Sequence, residues 1–120
     1  MSGSSSETVE GPEKIKNAQV EVQNTNIGEL SGFFRLLAGD TRIKILVALS
    51  KGELCVCDLS DVLEMSVSAI SHQLKELREG GLVKYRREAN NKHRYYSLEI
   101  EHLEPILTYA LEHIHEIHHS

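Results

Sequence analysis

SVSAISHQLKELREGGLVKYRREANNKHRYYSL occupies residues 66–98. Ser66 is a side chain able to cap a helix, and Ala69 or Ile70, Leu74 and Leu77 recur at helical spacing behind it. This predicts a helix over 68–79, stopped by Gly80 and Gly81. Two β-rich runs follow, 82–87 and 93–98, joined by a polar stretch centred on Asn90 and Asn91. Alternation on both sides of an Asn-Asn centre predicts a β-hairpin. Its arms are basic, with Lys84, Arg86 and Arg87 on one side and Arg94 on the other.

Upstream, the pattern is helical. Asp40 is expected to cap a helix over 41–50, where Ile43, Leu46, Val47 and Leu49 are apolar, with Gly52 as its stop. A short helix is expected over 55–63. Ser31 is expected to cap another over 32–38, ended by Gly39, and residues 13–24 carry a weaker helical pattern. Downstream, a helix over 101–118 presents Leu103, Ile106, Leu107, Ala110, Ile114 and Ile117 on one stripe. Residues 1–12 are rich in Ser, Gly and Glu and read as a disordered tail ahead of one domain, 13–120. The expected fold class is therefore mostly α with a small β-hairpin. Helix, tight turn, helix and basic hairpin is the order of a winged helix-turn-helix.

The charge distribution supports a polyanion partner where the average does not. The chain of 120 residues carries a formal net charge of −5. Yet residues 66–98 hold seven basic and three acidic side chains, and 99–120 hold five Glu, five His and no Lys or Arg. A local basic segment binds polyanions whatever the average says. In a recognition helix, short hydrogen-bonding side chains reach base edges in the major groove. Ser66, Ser68, Ser71, His72, Gln73 and Lys75 fit that role. Gln73 could pair with adenine, and Lys75 could reach guanine or phosphate. Arg86, Arg87, Lys92 and Arg94 are expected on the DNA backbone or in the minor groove. A solvated helix face beside an ordinary charged hairpin is the bland alternative.

Other classes find little support. There is no phosphate-cradling Gly loop, nucleophile elbow or HExxH pattern, so an enzyme is not expected. No run approaches the ~18 apolar residues of a membrane span. The start lacks the apolar region of a secretory signal, and the two Cys make no disulfide framework. The cytoplasm is the expected compartment.

Two groups of residues could hold a metal. On the last helix, His102 and His113 are eleven residues apart and so point within about 20° of each other, with Glu116 about 60° further on. Eleven residues span about 16 Å, too far for one ion with ~2.0–2.1 Å bonds. Two antiparallel copies of the helix would bring His102 of one subunit to His113 and Glu116 of the other. Imidazole with carboxylate favours Zn²⁺, with Co²⁺ or Ni²⁺ as alternatives. Such binding needs neutral His and should fade below about pH 6. The second group is Cys55 and Cys57, whose thiolates suit arsenite, Cd²⁺ or Pb²⁺. Each also has an ordinary reading, a solvated His-rich helix end or a small buried Cys.

LLAGDTRI at 36–43, GELCVCDL at 52–59, SAISHQLKEL at 68–77, and GLV at 81–83 through YYSL at 95–98 together resemble the ArsR/SmtB metalloregulators. The resemblance covers about residues 30–118. It implies a homodimeric repressor, joined through its terminal helices, that sits on an inverted-repeat operator and leaves when a metal or metalloid binds. The family's interhelical pattern, Asp-x-His then His-x-x-Glu or His-x-x-His, matches His102, His113 and Glu116. Its Asp position is Ile100 here, so Glu99, Glu101 or His115, or the terminal His118 or His119, would have to supply a fourth ligand. In the family's Cys pattern the third Cys is Ser60. A winged-helix repressor with a non-metal trigger, such as Cys oxidation, stays open, as does a metal buffer or dimeric scaffold.

Overall fold

The computed structural model describes residues 11–90 and 92–119. Most of the expected disordered tail, 1–10, lies outside the described residues, as do Asn91, Ser120 and the side chain of His119. The chain divides into two compact units, the first ending at Phe34 and the second starting at Arg35.

In the first unit, helix α1 spans Pro12–Asn24. Gly11 precedes it with φ 69°, a conformation cheap only for glycine, and Pro12 fits the first helical position. The helix thus begins inside the segment expected to be disordered. Every residue of α1 is exposed, including Ile15, Val20 and Val22. Helix α2, Ile27–Leu37, crosses the boundary between the units. It starts earlier than expected. The Glu29 backbone N–H donates to Asn26 Oδ1 at 3.1 Å, so Asn26 caps it and Ser31 lies inside it.

The second unit builds a core from α3 (Asp40–Leu49), α4 (Val56–Leu63), α5 (Val67–Glu79) and a small sheet. Gly39, not Asp40, is the N-cap of α3. Asp40 instead sits in the first turn, where its charge favours the helix dipole. Ile45, Leu46, Leu59, Ile70, Leu74 and Leu77 are fully buried, which binds the three helices together. Ser66 caps α5 as expected, its Oγ accepting from the Ala69 N–H at 3.0 Å. The turn before it reverses at Glu64 (φ 57°), where the Ser60 hydroxyl donates to the Met65 carbonyl.

The hairpin is β2, Val83–Arg87, and β3, Arg94–Leu98. Val83 pairs with Leu98 and Arg87 with Arg94. The sequence offered no cue for a third strand, β1, of only Leu54 and Cys55. It pairs antiparallel with β3, giving the order β1-β3-β2. Leu82, Val83, Tyr96 and Leu98 are buried, so the sheet's inner face closes the core. The last helix, α6, spans Ile100–His119 and contains Pro105. Leu103 anchors it at 0% exposure, whereas Tyr109, Leu111, Ile114 and Ile117 stay more than half exposed.

Candidate nucleic-acid interface and metal-ligating residues

Helix α5 is amphipathic in the way its sequence requires. Ile70, Leu74 and Leu77 face the core, and Ser66, Ser68, Ser71, His72 and Lys75 are exposed. His72 Nε2 lies 3.2 Å from a Glu76 carboxylate oxygen one turn on. Gln73 is placed differently from its neighbours. It is half-buried, and its Oε1 accepts from Arg42 Nε at 2.8 Å. An adenine pair needs both amide atoms of Gln73, and this structure commits the oxygen to Arg42.

Arg42 is a residue that sequence reasoning missed. From α3 it also forms an ion pair with Glu76 and donates to the Leu36 carbonyl at 3.2 Å. One guanidinium thus ties the end of α2 to two side chains of α5, Gln73 and Glu76, three residues apart. A guanidinium fork suits such multiple contacts. Its side-chain partners lie more than 30 residues away, and no local pattern marks them.

The hairpin turns its cations to two uses. Arg86 is held by Glu53, whose carboxylate accepts from Nε at 3.0 Å and from Nη2 at 2.8 Å. These bonds hold the Glu53 carboxyl below its usual pKa and raise that of Arg86. Arg86 also stacks on Tyr95, whose hydroxyl pKa is raised chiefly by the charge of Glu88. Lys84 lies 4.0 Å from Glu99. Arg78 and Arg94 approach the Tyr85 ring, at 5.5 and 4.6 Å from its centroid. That fixes their direction without neutralising their charge. Lys75, Arg87 and Lys92 have no carboxylate partner among the described residues.

These unpaired cations converge. Lys75 and Arg78 from α5 face Arg87, Lys92 and Arg94 of the hairpin across an open cleft of about 440 Å³. Cys55 and Cys57 line the same cleft from the start of α4, along with Ser71. Cys55, buried, is both the last residue of β1 and the N-cap of α4; Cys57 is exposed. The Asp58 carboxylate accepts from the Cys55 backbone N–H at 3.2 Å and so fixes this corner.

On α6, His102, His113 and Glu116 are all exposed. Among the described residues of one chain, no group of three His, Cys, Asp or Glu is gathered for a metal. Of the alternative ligands, Glu101 and His115 are exposed. Glu99 is half-buried, and its carbonyl accepts from the His102 and Leu103 N–H groups. Pro105, between His102 and His113, lies inside the helix and removes one helical N–H. Imidazole and carboxylate are donor types that Zn²⁺ accepts, and the described residues of one chain do not by themselves gather a site for it.

Comparison with known proteins adds four findings. Residues 39–85 match the model of the family "Bacterial regulatory protein, arsR family". The chain is 38% identical over 106 residues to a cadmium resistance transcriptional regulatory protein CadC homolog of Staphylococcus aureus, covering 88% of this chain and 86% of that one. It is 39% identical over 105 residues to a transcriptional repressor SmtB homolog of Synechocystis sp., covering 87% of this chain and 78% of that one. Among solved structures, the homodimeric winged helix-turn-helix DNA-binding domain of Mb0332 from Mycobacterium bovis is similar, with TM-score 0.65 and 28% identity. That match covers 78% of this chain and 89% of the other.

Proposed function

Because this chain belongs to the arsR family of bacterial regulatory proteins, which are DNA-binding transcriptional regulators and not enzymes, we propose that it is a metal-responsive repressor working as a homodimer on an inverted-repeat operator. The observation that carries the reading is the convergence of the exposed polar face of α5 with the unpaired cations of the hairpin. Ser66, Ser68, Ser71, His72 and Lys75 meet base edges or phosphate in the major groove. Arg87, Lys92 and Arg94 hold the backbone. The described helices include none long and apolar enough to cross a membrane, in keeping with a cytoplasmic regulator.

The dimer forms through α6. What supports this is the row of exposed apolar side chains, Tyr109, Leu111, Ile114 and Ile117, on a helix otherwise anchored by Leu103. Two antiparallel α6 helices place His102 of one subunit by His113 and Glu116 of the other, as their spacing requires. Zn²⁺ held there would supply charge and a fixed tetrahedral geometry across the interface. The residues' own part is to bring two donors from one helix and one from its partner, so that ligation sets the angle between subunits. A ligand that favours one dimer geometry weakens DNA binding by linkage, with ~1–3 kcal/mol changing affinity about 5- to 150-fold.

A second reading places the sensor on Cys55 and Cys57 and makes the inducer a softer ion, Cd²⁺ or arsenite. It is favoured by the two thiols lining one cleft and by the likeness to a cadmium resistance regulator.

Selection of bound duplexes from a random pool, followed by titration with Zn²⁺, tests the proposal. The expected result is an inverted repeat that Zn²⁺ releases. An enriched duplex indifferent to Zn²⁺, Cd²⁺ and arsenite would remove the metal response and leave the DNA binding. Co²⁺ titration of the reduced protein and of Cys55→Ser/Cys57→Ser separates the two sites. Tetrahedral bands unchanged in the double variant assign the metal to α6. A near-ultraviolet thiolate band lost in the variant assigns it to the Cys pair.

A further inference from the structure

We propose that His72 reads DNA as a hydrogen-bond acceptor: Glu76, held in turn by Arg42, engages Nε2 of the imidazole, and Nδ1 takes a hydrogen bond from the exocyclic amino group of an adenine or cytosine in the major groove. This rests on the DNA-binding reading and deepens it. Arg42 and Glu76 act here as positioning residues.

The placement follows from helical spacing. At 100° per residue, His72 lies roughly opposite the buried stripe of Ile70, Leu74 and Leu77. Its side chain is 68% exposed. Glu76, one turn on, is its neighbour on the helix surface and divides its carboxylate between two elements. Oε1 pairs with Arg42 Nη2 from α3, and Oε2 lies 3.2 Å from His72 Nε2. Arg42 is half-buried and fixed at two further points. Its Nε donates to Gln73 Oε1 at 2.8 Å and its Nη1 to the Leu36 carbonyl at 3.2 Å. With Oε1 anchored in this way, Oε2 stays beside the imidazole.

The polarity follows from the chemistry of the partners. A carboxylate accepts and does not donate, so the ring nitrogen that faces it carries the proton. In a neutral imidazole the other nitrogen is then an acceptor. Nε2 is engaged by Glu76, and Nδ1 offers a lone pair alone. Phosphate oxygens, purine N7, guanine O6 and thymine O4 are acceptors themselves and have no proton to give it. The amino groups of adenine and cytosine are the donors that the major groove presents. Arg42 also balances the Glu76 charge, which would otherwise repel nearby phosphates.

Two experiments on the full chain at pH 8, above the ordinary His value, test it. In the first, duplexes selected from a random pool by the parent and by His72→Ala locate the base pair whose preference His72 carries. That pair is then altered one group at a time. 2-Aminopurine for adenine, or pyrimidin-2-one for cytosine, deletes the amino group, and a 7-deazapurine deletes N7. Deleting the amino group in both half-sites is expected to weaken the parent about threefold or more, as for a lost neutral hydrogen bond, and to leave His72→Ala unchanged. Deleting N7 should affect both proteins equally. An N7 penalty that requires His72, or selected sequences identical for the two proteins, overturns the proposal. Failure of the parent to retain any duplex would instead overturn the DNA-binding reading beneath it.

In the second, the same duplexes are titrated with Glu76→Ala and Arg42→Met. Once released, the Nε2–H can donate to a base, so the amino penalty should fall and an N7 penalty should appear. Arg42→Lys, which can keep the ion pair, should restore the parent pattern. A role in folding alone would weaken every duplex alike, and that result overturns the positioning. Nitrogen NMR of the His72 ring in the parent needs no variant to fold. A proton on Nε2 is expected, and a proton on Nδ1 overturns the proposal.

Discussion

Arg86 and Arg87 are adjacent in sequence, yet the structure assigns them different electrostatic duties, and the salt dependence of DNA binding should separate them. Arg86 gives its guanidinium to Glu53 through bonds of 2.8 and 3.0 Å, so its charge is already balanced. Arg87 lines the cationic cleft without a carboxylate partner. Each phosphate neutralised by a protein cation contributes about −0.9 to the slope of log K against log salt. Arg87→Ala should therefore make the slope shallower by about 0.9 per subunit, or about 1.8 for a dimer on two half-sites. Between 50 and 200 mM salt, the parent would lose roughly twelvefold more affinity than this variant, by the same relation. Arg86→Ala should leave the slope nearly unchanged. Glu53→Gln, which releases Arg86 from its partner, should steepen it. The assay is fluorescence anisotropy of a labelled duplex at five or more salt concentrations for each variant. If Arg86→Ala flattens the slope as much as Arg87→Ala, the division of duties is wrong.

Three further outcomes are expected. Leu103→Ala should cost about 2–5 kcal/mol in urea unfolding, because a fully buried leucine is the anchor of α6, and a change below 1 kcal/mol would show that α6 docks elsewhere. Ser66→Ala should cost about 1 kcal/mol, since its Oγ satisfies the Ala69 N–H, and Ser66→Asp should restore most of it; equal stability of all three proteins would deny the cap. Glu53 has a depressed pKa, so its bond to Arg86 favours the fold fully above the ordinary carboxylate range and loses that contribution as pH falls through the lowered value. In Arg86→Gln the acid limb of a stability–pH profile should therefore be shallower, and an unchanged limb would refute the assignment.

Local patterns made most of the fold legible. The Ser66 cap, the 70–74–77 core stripe and the double glycine describe α5 almost to the residue, because each acts within one or two turns. The hairpin was legible for the same reason. What escaped depends on distant partners. Strand β1 is too short to show alternation and exists because Leu54 and Cys55 lie against Tyr96 and Tyr95. No local pattern marks Arg42, because its partners Gln73 and Glu76 come to it only through packing. The start of α2 was misplaced because Ser31 and Asn26 are both competent caps, and sequence alone does not rank them. At the candidate site, residue types were legible and their pairing was not. Arg86, Arg87, Lys92 and Arg94 looked equivalent along the hairpin, and only the fold, by pairing Arg86 with Glu53, distinguishes it from the other three.

The order β1-β3-β2 leaves β2 as an outer strand with one row of backbone groups unpaired. Such a strand is a template for sheet extension by another copy, and charged side chains along it are the usual guard. Lys84, Arg86 and Arg87 stand on this strand, and β1, the opposite margin, is only two residues long. The sheet is thereby discouraged from growing in either direction. Stripping all three charges at once to probe nucleic-acid contacts would also remove that guard, and precipitation could then pass for lost affinity. Single replacements, checked by light scattering, keep the two effects apart.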